Sequence, residues 1–372
     1  MKILHISDGG INDPRILKSA MTCKKHGYGV YFVGTRSKYY NKYNHIFDKI
    51  FWICPKDSKL NHLKLTLGYS FGLEKRLRRI VEELRPDIIH AHNIFVAKYA
   101  HNLGIPMILD DHEFYSTAIL AKFDNPISII AKAKKLVVDV LALSKRWREW
   151  EHMLAYSHPV ITVSNGIAEY YSKLSKHVYV VPNYPSKDAN DIFESINYDH
   201  KDDLRSVYVG MDTKAKYRAY RDILGLEEIF LKPHTGMLIR IGVNEPNNHR
   251  IRALGYLPMA KVFEVMYNEC QIGLLPWKRH FFHKYCSPNK VYEYAYCGLW
   301  IITIDDIPSI KEDFGDLCDT FSNYDELREL LVYYNSNKEE LTKKREAIFV
   351  HAKNNLIWER NEHKIIEAYK KA

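Results

Sequence analysis

Short apolar runs separated by helix-length segments set the pattern of this chain. In the first half they are Ile3 to Ile6, Val30 to Val33, Ile50 to Ile53, Ile88 to His90, Met107 to Leu109 and Val160 to Val163. A second series follows at Ser206 to Gly210, Met237 to Ile241, Gln271 to Leu275 and Leu299 to Ile304. Strands alternating with helices predict an α/β protein with parallel, doubly wound sheets, and two series predict two such halves. Ligands of such sheets bind at the carboxyl ends of the strands, so the residues just after each run are candidates for chemistry. Pro182 and Pro185 bracket a segment that continues neither a helix nor a central strand. The expected boundary lies near Pro185, giving domains at 1–185 and 186–350 and a C-terminal helical segment at 351–372. Within the last segment, Leu356 to Tyr369 carries apolar residues at helical spacing.

Composition agrees with two folded domains. The chain has 372 residues, 46% of them hydrophobic and 27% charged, which is too long for one ordinary core and too apolar for disorder. Its six cysteines, Cys23, Cys54, Cys270, Cys286, Cys297 and Cys318, form no CxxC pair and no zinc-type spacing with histidine. They read as free thiols of a reducing compartment. The opening Met1 to Ser7 is strand-like and lacks the apolar core of a signal peptide, and no apolar run approaches a membrane span, so a cytoplasmic location is expected. A net charge of +9 directs the surface towards anions: nucleotides, nucleic acid or acidic lipid.

Ser287-Pro288-Asn289-Lys290-Val291-Tyr292-Glu293-Tyr294-Ala295, closed by Gly298 and followed by the run to Ile304, carries the most information. It reads as a turn, a helix and a buried strand. Free backbone N–H groups at the helix start and the positive end of its dipole form a ready anion site, suited to a diphosphate on Ser287, Pro288, Asn289 and Lys290. Glu293 lies four residues after Asn289 on one helix face, where an ionised carboxylate can accept from a ribose diol. The alternative is an amphipathic helix with a solvated Glu293.

Other strand ends add candidates. After the first run come Gly9 and Gly10, which allow close backbone approach to a ligand but are not a GxGxxG fingerprint, and Asp13-Pro14, which fits a helix cap. Pro86 to Asn93 ends in His90 and His92, two histidines on one strand face. A metal site is the rival reading there, and no third ligand of suitable spacing follows in the sequence.

The Ser287 to Gly298 segment resembles the donor-binding segment of GT-B glycosyltransferases, in particular the retaining group called family 4. Asp13 to Leu17 with Gly27 to Val30, the phrase Pro86 to Asn93, and the D-x-H-E stretch Asp110-Asp111-His112-Glu113 are similar to the same group. The resemblance implies a GT-B fold, two Rossmann-like halves facing a cleft with the C-terminal helix crossing back to the first. It further implies transfer of a sugar, with retention, from a nucleotide-diphosphate sugar to a hydroxyl of a glycan or lipid-linked glycan. It places Gly9 and Gly10 between donor and acceptor, and His112 beside the reacting centre. It also puts a basic residue on the diphosphate from the loop Thr213 to Arg218, with Arg218 as first choice and Lys214 or Lys216 as substitutes. Trp277 to His280 adds positive charge nearby. Many family members hold the sugar with a second glutamate eight residues before the first. Here that position is Tyr285, so the sugar identity does not carry over. No cofactor and no metal are expected, since neither Asp305-Asp306 nor Asp110-Asp111 is a D-x-D clamp and the nucleotide sugar is a substrate. The rivals are a nucleotide-sugar epimerase of the same fold and a catalytically silent subunit, the latter motivated by Tyr285.

Leu60 to Leu84 and Phe123 to Trp150 mix Lys and Arg with apolar residues. Such stretches can lie on an anionic membrane face, and related enzymes extend lipid-linked sugars there, or they can pack on a sheet with a solvated basic face. Nothing in the sequence accompanies this charge with a nucleic-acid-binding signature, so no nucleic acid is expected as a partner.

Overall fold

A computed structural model describes residues 1–36, 40–54, 59–68, 72–124, 129–190, 192–198, 203–210 and 219–372. The chain forms two compact units, one of residues 1–119, 138–183 and 361–372, the other of residues 120–137 and 184–360. Each is built on one wholly parallel sheet covered by helices.

The first sheet has strands β1 (Lys2–Gly10), β2 (Gly29–Thr35), β3 (Lys49–Cys54), β4 (Ile88–His92), β5 (Met107–Asp111), β6 (Val160–Thr162) and β7 (Val178–Val180), in spatial order β3-β2-β1-β4-β5-β6-β7. The second has β8 (Arg205–Val209), β9 (Met237–Ile241), β10 (Ile251–Ala253), β11 (Ile272–Leu275), β12 (Trp300–Ile304) and β13 (Asp319–Phe321), in order β10-β9-β8-β11-β12-β13. Both orders run outwards from a first strand and then reverse direction in the sheet, giving switch points between β1 and β4 and between β8 and β11. All ten apolar runs form strands. The strands with no such run are β7, β10 and β13, each three residues long and each at a sheet edge, where one flank needs no apolar burial.

Two corrections concern the candidate loops. Gly9 and Gly10 lie inside β1, with Gly10 opposite Thr35 after an irregular register, and not in a turn after it. A Cβ at Gly34 would stand 2.8 Å from the Gly9 carbonyl oxygen, so the close backbone approach seen is strand against strand. The last helix spans Glu362–Lys371, starting later than Leu356, because Lys338–Asn355 is a separate helix and Trp358–Asn361 a short 3-10 turn. The helix Glu362–Lys371 belongs to the first unit.

The basic stretches resolve into several helices. Leu73–Leu84 buries Leu73, Leu77, Ile80, Val81 and Leu84, and Leu143–Ser157 buries Trp147, Trp150 and Leu154, so both pack against their unit with a solvated basic face. Ile129–Val140 differs, with Leu136 and Val137 exposed beside Lys132, Lys134 and Lys135. No helix among the described residues is long and apolar enough to cross a membrane.

In the second unit the helix Asn289–Tyr296 packs on β11 through Tyr294, whose ring lies over Gly273: a Cβ there would come within 2.4 Å of the ring. Tyr294 is fully buried, and its hydroxyl accepts the Val209 N–H at 3.1 Å. Gly273→Val is therefore expected to push this helix off the sheet and destabilise the unit by about 1–3 kcal/mol. Denaturant unfolding checks it, and an unchanged midpoint would refute the packing argument.

Candidate active-site residues

Register places a polar patch on one face of the first sheet at its switch point. His5 pairs with His90 across β1 and β4, Ser7 pairs with His92, and His92 pairs with Asp110 across β4 and β5. Partners in a parallel ladder share a face, and the period of two keeps Ile89 and Ala91 on the other side. Asp13 caps the helix Pro14–Lys25 by accepting from the Arg15 N–H, so Arg15 falls in the first helical turn. The same helix contributes Cys23, and the helix Glu362–Lys371 contributes Tyr369.

These groups form a closed hydrogen-bonded cluster. Arg15 grips Asp110 with Nε 2.9 Å from Oδ1 and Nη2 2.7 Å from the same oxygen, while its Nη1 reaches the Val181 carbonyl at 2.7 Å and Asn183 Oδ1 at 2.9 Å. His90 Nε2 lies 3.2 Å from Asp110 Oδ2, and its Nδ1 accepts from the Tyr369 hydroxyl at 2.7 Å. His92 Nδ1 lies 3.2 Å from His112 Nε2, and His92 Nε2 lies 3.0 Å from His5 Nδ1. Cys23 Sγ stands 3.1 Å from the Tyr369 oxygen and 3.8 Å from His5 Nε2. His5, His90, His92, Arg15 and Asp110 are at most 3% exposed, whereas the His112 side chain is 13% exposed and faces Asp13 Oδ2 at 3.6 Å from Nδ1.

Electrostatics order the cluster. Burial alone would raise the Asp110 carboxyl, but Arg15, then His112 and His90, hold it well below the ordinary carboxylate range, so it is ionised. Burial lowers His5, His90 and His92, the last to about 3 with help from His90, so these rings are neutral. His5, His90 and His92, and separately His92, Asp110 and His112, bring donor atoms within 4.8 Å of one another, close enough to hold a cation. The third group that sequence spacing failed to supply thus comes from other strands. In the structure these atoms satisfy one another, and Arg15 already neutralises the carboxylate that a divalent ion would need.

Asp111 points to the opposite face, beside Thr162 in register. Its Oδ2 accepts from the Tyr171 hydroxyl at 2.5 Å, and Oδ1 has no hydrogen-bond partner among the described residues. Glu151 accepts from the Ser116 N–H at 2.8 Å and from its hydroxyl at 2.6 Å, which ties the helix Tyr115–Lys122 to Leu143–Ser157. Burial, then the Glu151 charge, raises Asp111 well above its usual range, and burial pushes Glu151 up to about 7 against the two Ser116 bonds.

The second unit gathers cations on aromatic faces at the carboxyl ends of β8, β9 and β11. Lys290 Nζ lies 4.5 Å from the Tyr208 ring centre and 5.2 Å from that of Trp277. Arg221 lies over Trp277 at 5.4 Å, and Arg240 over Tyr208 at 5.5 Å. Trp277 Nε1–H donates to the Tyr208 hydroxyl at 3.2 Å, fixing the aromatic pair. Arg240 is fully buried and pairs with Glu227 through Nη1, while Nε and Nη2 have no hydrogen-bond partner among the described residues. The turn before the helix Asn289–Tyr296 is fixed by a chain in which Ser287 Oγ meets the Tyr292 hydroxyl at 3.0 Å and both Tyr292 and Tyr184 donate to Asp313.

Of the residues singled out in the sequence, Ser287, Pro288, Asn289, Lys290 and Glu293 lie together at this helix, with Pro288 buried, Asn289 exposed and Glu293 half-buried. Arg218, Lys214 and Lys216 lie outside the described residues. Lys278 and Arg279 do not join the cation cluster: Lys278 is 3.3 Å from Asp222, and Arg279 pairs with Asp305 at 2.8 Å. Tyr285 closes the short 3-10 turn Phe281–Tyr285, which His283 anchors to Asp306 at 2.5 Å. Sequence reading quoted Arg15 and Asp110 inside motifs without giving either a role, and it missed His5, Arg221 and Arg240. His5 alone had a local signal, as a polar residue inside an apolar run.

Two stability predictions follow from the buried charges. Arg15→Leu leaves Asp110 unpaired and is expected to cost about 3–5 kcal/mol in denaturant unfolding; a loss near zero would refute the pairing. Glu151 binds its proton more tightly folded than unfolded, so the stability it confers is full below about 4.5 and is lost as pH rises through about 7. Thermal midpoints measured across that window are expected to fall with pH, and Glu151→Gln to flatten the fall.

Residues 20–184 match the model described as Glycosyltransferase Family 4. No curated protein matches the chain in sequence. Among solved structures, sucrose-phosphate synthase (tll1590) from Thermosynechococcus elongatus is similar with a TM-score of 0.71 and 12% identity, covering 99% of this chain and 98% of that one. Anabaena Alr3699/HepE in complex with UDP is similar with a TM-score of 0.66 and 12% identity over 100% of both chains. TarM has a TM-score of 0.66 and 8% identity over 99% of this chain and 98% of its own. The two parallel-sheet units thus share the GT-B fold of these glycosyltransferase structures, and within the first of them residues 20–184 match the family 4 model.

Proposed function

We propose that the protein transfers a sugar from a nucleotide-diphosphate sugar to a hydroxyl of a glycan or lipid-linked glycan, with retention and without a metal. The observation that carries this reading is the cation cluster of Lys290, Arg221 and Arg240 on Tyr208 and Trp277, at the switch point of the second sheet. Departure of a nucleotide diphosphate builds negative charge on the leaving oxygens, and fixed cations at a helix start stabilise it. They take the part that a divalent ion has in other phosphate chemistry. Glu293 then accepts from the ribose hydroxyls, the departing phosphate takes the acceptor proton, and His112 is the candidate for contact with the transferring sugar.

HepE structures hold UDP and UDP-glucose, which supports a uridine donor as the first to try. The exposed Leu136 and Val137 beside Lys132, Lys134 and Lys135 support peripheral contact with an anionic membrane face, where a lipid-linked acceptor would lie. Tyr285, where a sugar-holding glutamate is common in the family, is the observation that favours a second reading, a nucleotide-binding subunit without turnover.

A thermal-shift panel of UDP, GDP, ADP and their sugar conjugates tests the donor site, since a ligand of the folded state raises its melting temperature. One nucleotide is expected to stabilise the wild type, and Glu293→Ala to weaken its binding by about 1–3 kcal/mol. Unchanged affinity in that variant would remove the ribose assignment. Binding without donor turnover would favour the silent subunit.

A further inference from the structure

Hydrogen bonding around Asp110 determines where the protons of the histidine cluster sit. An ionised carboxylate only accepts. His90 Nε2, 3.2 Å from Asp110 Oδ2, therefore carries a proton, which leaves His90 Nδ1 to accept from Tyr369. His92 Nδ1 faces the same oxygen at 3.4 Å and His112 Nε2 at 3.2 Å. A lone pair on His92 Nδ1 would oppose the carboxylate, so that nitrogen too is N–H. Because the His92 ring is neutral, its Nε2 is a lone pair that accepts from His5 Nδ1–H at 3.0 Å, and His5 Nε2 is left as a lone pair towards Cys23, a thiol that burial raises to about 12. Every ring then donates once, and no N–H opposes another.

The end of this column is His112. Its Nε2 receives the His92 Nδ1–H, and at 3.7 Å Asp110 Oδ2 is too far to accept a hydrogen bond from it. Its Nδ1 lies on the more exposed side, facing Asp13 Oδ2 at 3.6 Å, where the ring meets the half-buried end of the cluster. The titratable and charged groups that face the column are Asp110, Arg15, Asp13, Cys23 and Tyr369, from β5, the two covering helices and the turn before the first of them.

We propose that His92 is a positioning residue that holds His112 in the neutral Nδ1–H tautomer, so that His112 offers the transferring sugar a hydrogen-bond donor and does not act as a base. This assignment rests on the proposed sugar transfer for its catalytic meaning, but the tautomer is a property of the resting protein. It runs against the Nε2–H form that a free histidine side chain favours, which makes it diagnostic. A histidine tied down in this way also keeps its ring orientation, since the nitrogen on the far side is engaged.

The test is long-range proton–nitrogen NMR of the full chain labelled with 15N-histidine, with the His112 signals identified by their loss in His112→Gln. In alkaline buffer the wild type is expected to show the Nδ1–H form. His92→Leu is expected to shift it towards Nε2–H, and His92→Asn, whose amide can donate from near the Nδ1 position, to keep it. In turnover, His92→Leu should lower kcat about 10- to 100-fold with the donor KM within about twofold, and His92→Asn should recover most of the loss. An Nε2–H form of His112 in the wild type, or an unchanged tautomer in a folded His92→Leu, overturns the proposal. Equal loss of kcat in the Leu and Asn variants with no tautomer change in either overturns it as well, leaving His92 a packing residue. A wild type with the expected tautomer and no turnover of any donor overturns the sugar-transfer reading and leaves the tautomer assignment standing.

Discussion

The buried carboxylate of Asp110 is the constraint on which the order of the first unit's candidate site depends. At 1% exposure it has no water to solvate its charge, and an unpaired ion there would cost several kcal/mol. Arg15 compensates it with a forked contact, and the forked geometry is available only because Asp13 and Pro14 start the helix just before Arg15. Once the charge is fixed, the remaining lone pairs of Asp110 dictate an N–H on His90 and on His92, the two rings nearest to them. The protons of four rings, one hydroxyl and one thiol then follow in turn. A local ion pair sets the chemistry of a residue, His112, that makes no direct contact with Arg15 in this network.

The second unit shows the opposite electrostatic condition. Lys290 sits in the first turn of its helix, where the dipole already carries positive charge and a cation is disfavoured. Arg221 and Arg240 add to the same field, and Arg240 is fully buried with two guanidinium nitrogens lacking hydrogen-bond partners among the described residues. Tyr208 and Trp277 offset part of this through their ring faces, and Glu227 takes one Arg240 nitrogen. Cations gathered at the positive end of a helix suit a bound dianion, which is why the cluster carries more functional weight than a solvated basic loop would.

The sheets were legible because buried parallel strands read as continuous apolar runs, and every run became a strand. The three edge strands without such a run were not, since Val178–Val180, Ile251–Ala253 and Asp319–Phe321 are each only three residues long. The helix after Ser287 was legible from its turn residues and the glycine that closes it, and Glu293 falls on it as expected. The partners of these residues were not. Arg15 and Asp110 are 95 residues apart in the chain, and His90 and Tyr369 are 279 apart. Neither separation leaves a local pattern. Gly9 and Gly10 read as a turn for a related reason, because glycine is also used where two strands approach closely, as Gly34 and Gly9 do.

Polar residues that interrupt an apolar strand deserve a different reading from those that follow it. His5 and His90 sit in mid-strand and are fully buried, positions that ordinarily favour Val or Ile, and a neutral imidazole there loses its hydration. Two such losses persist only if each ring finds partners for both nitrogens, and the register His5 to His90, Ser7 to His92 and His92 to Asp110 supplies them. The pairing by register explains why two histidines spaced by one residue looked like half a metal site in sequence. Spacing of two puts side chains on one face for either purpose. What separates the purposes is the charge opposite: a carboxylate facing only histidines invites a cation, whereas one already forked by an arginine orders the histidines' protons instead.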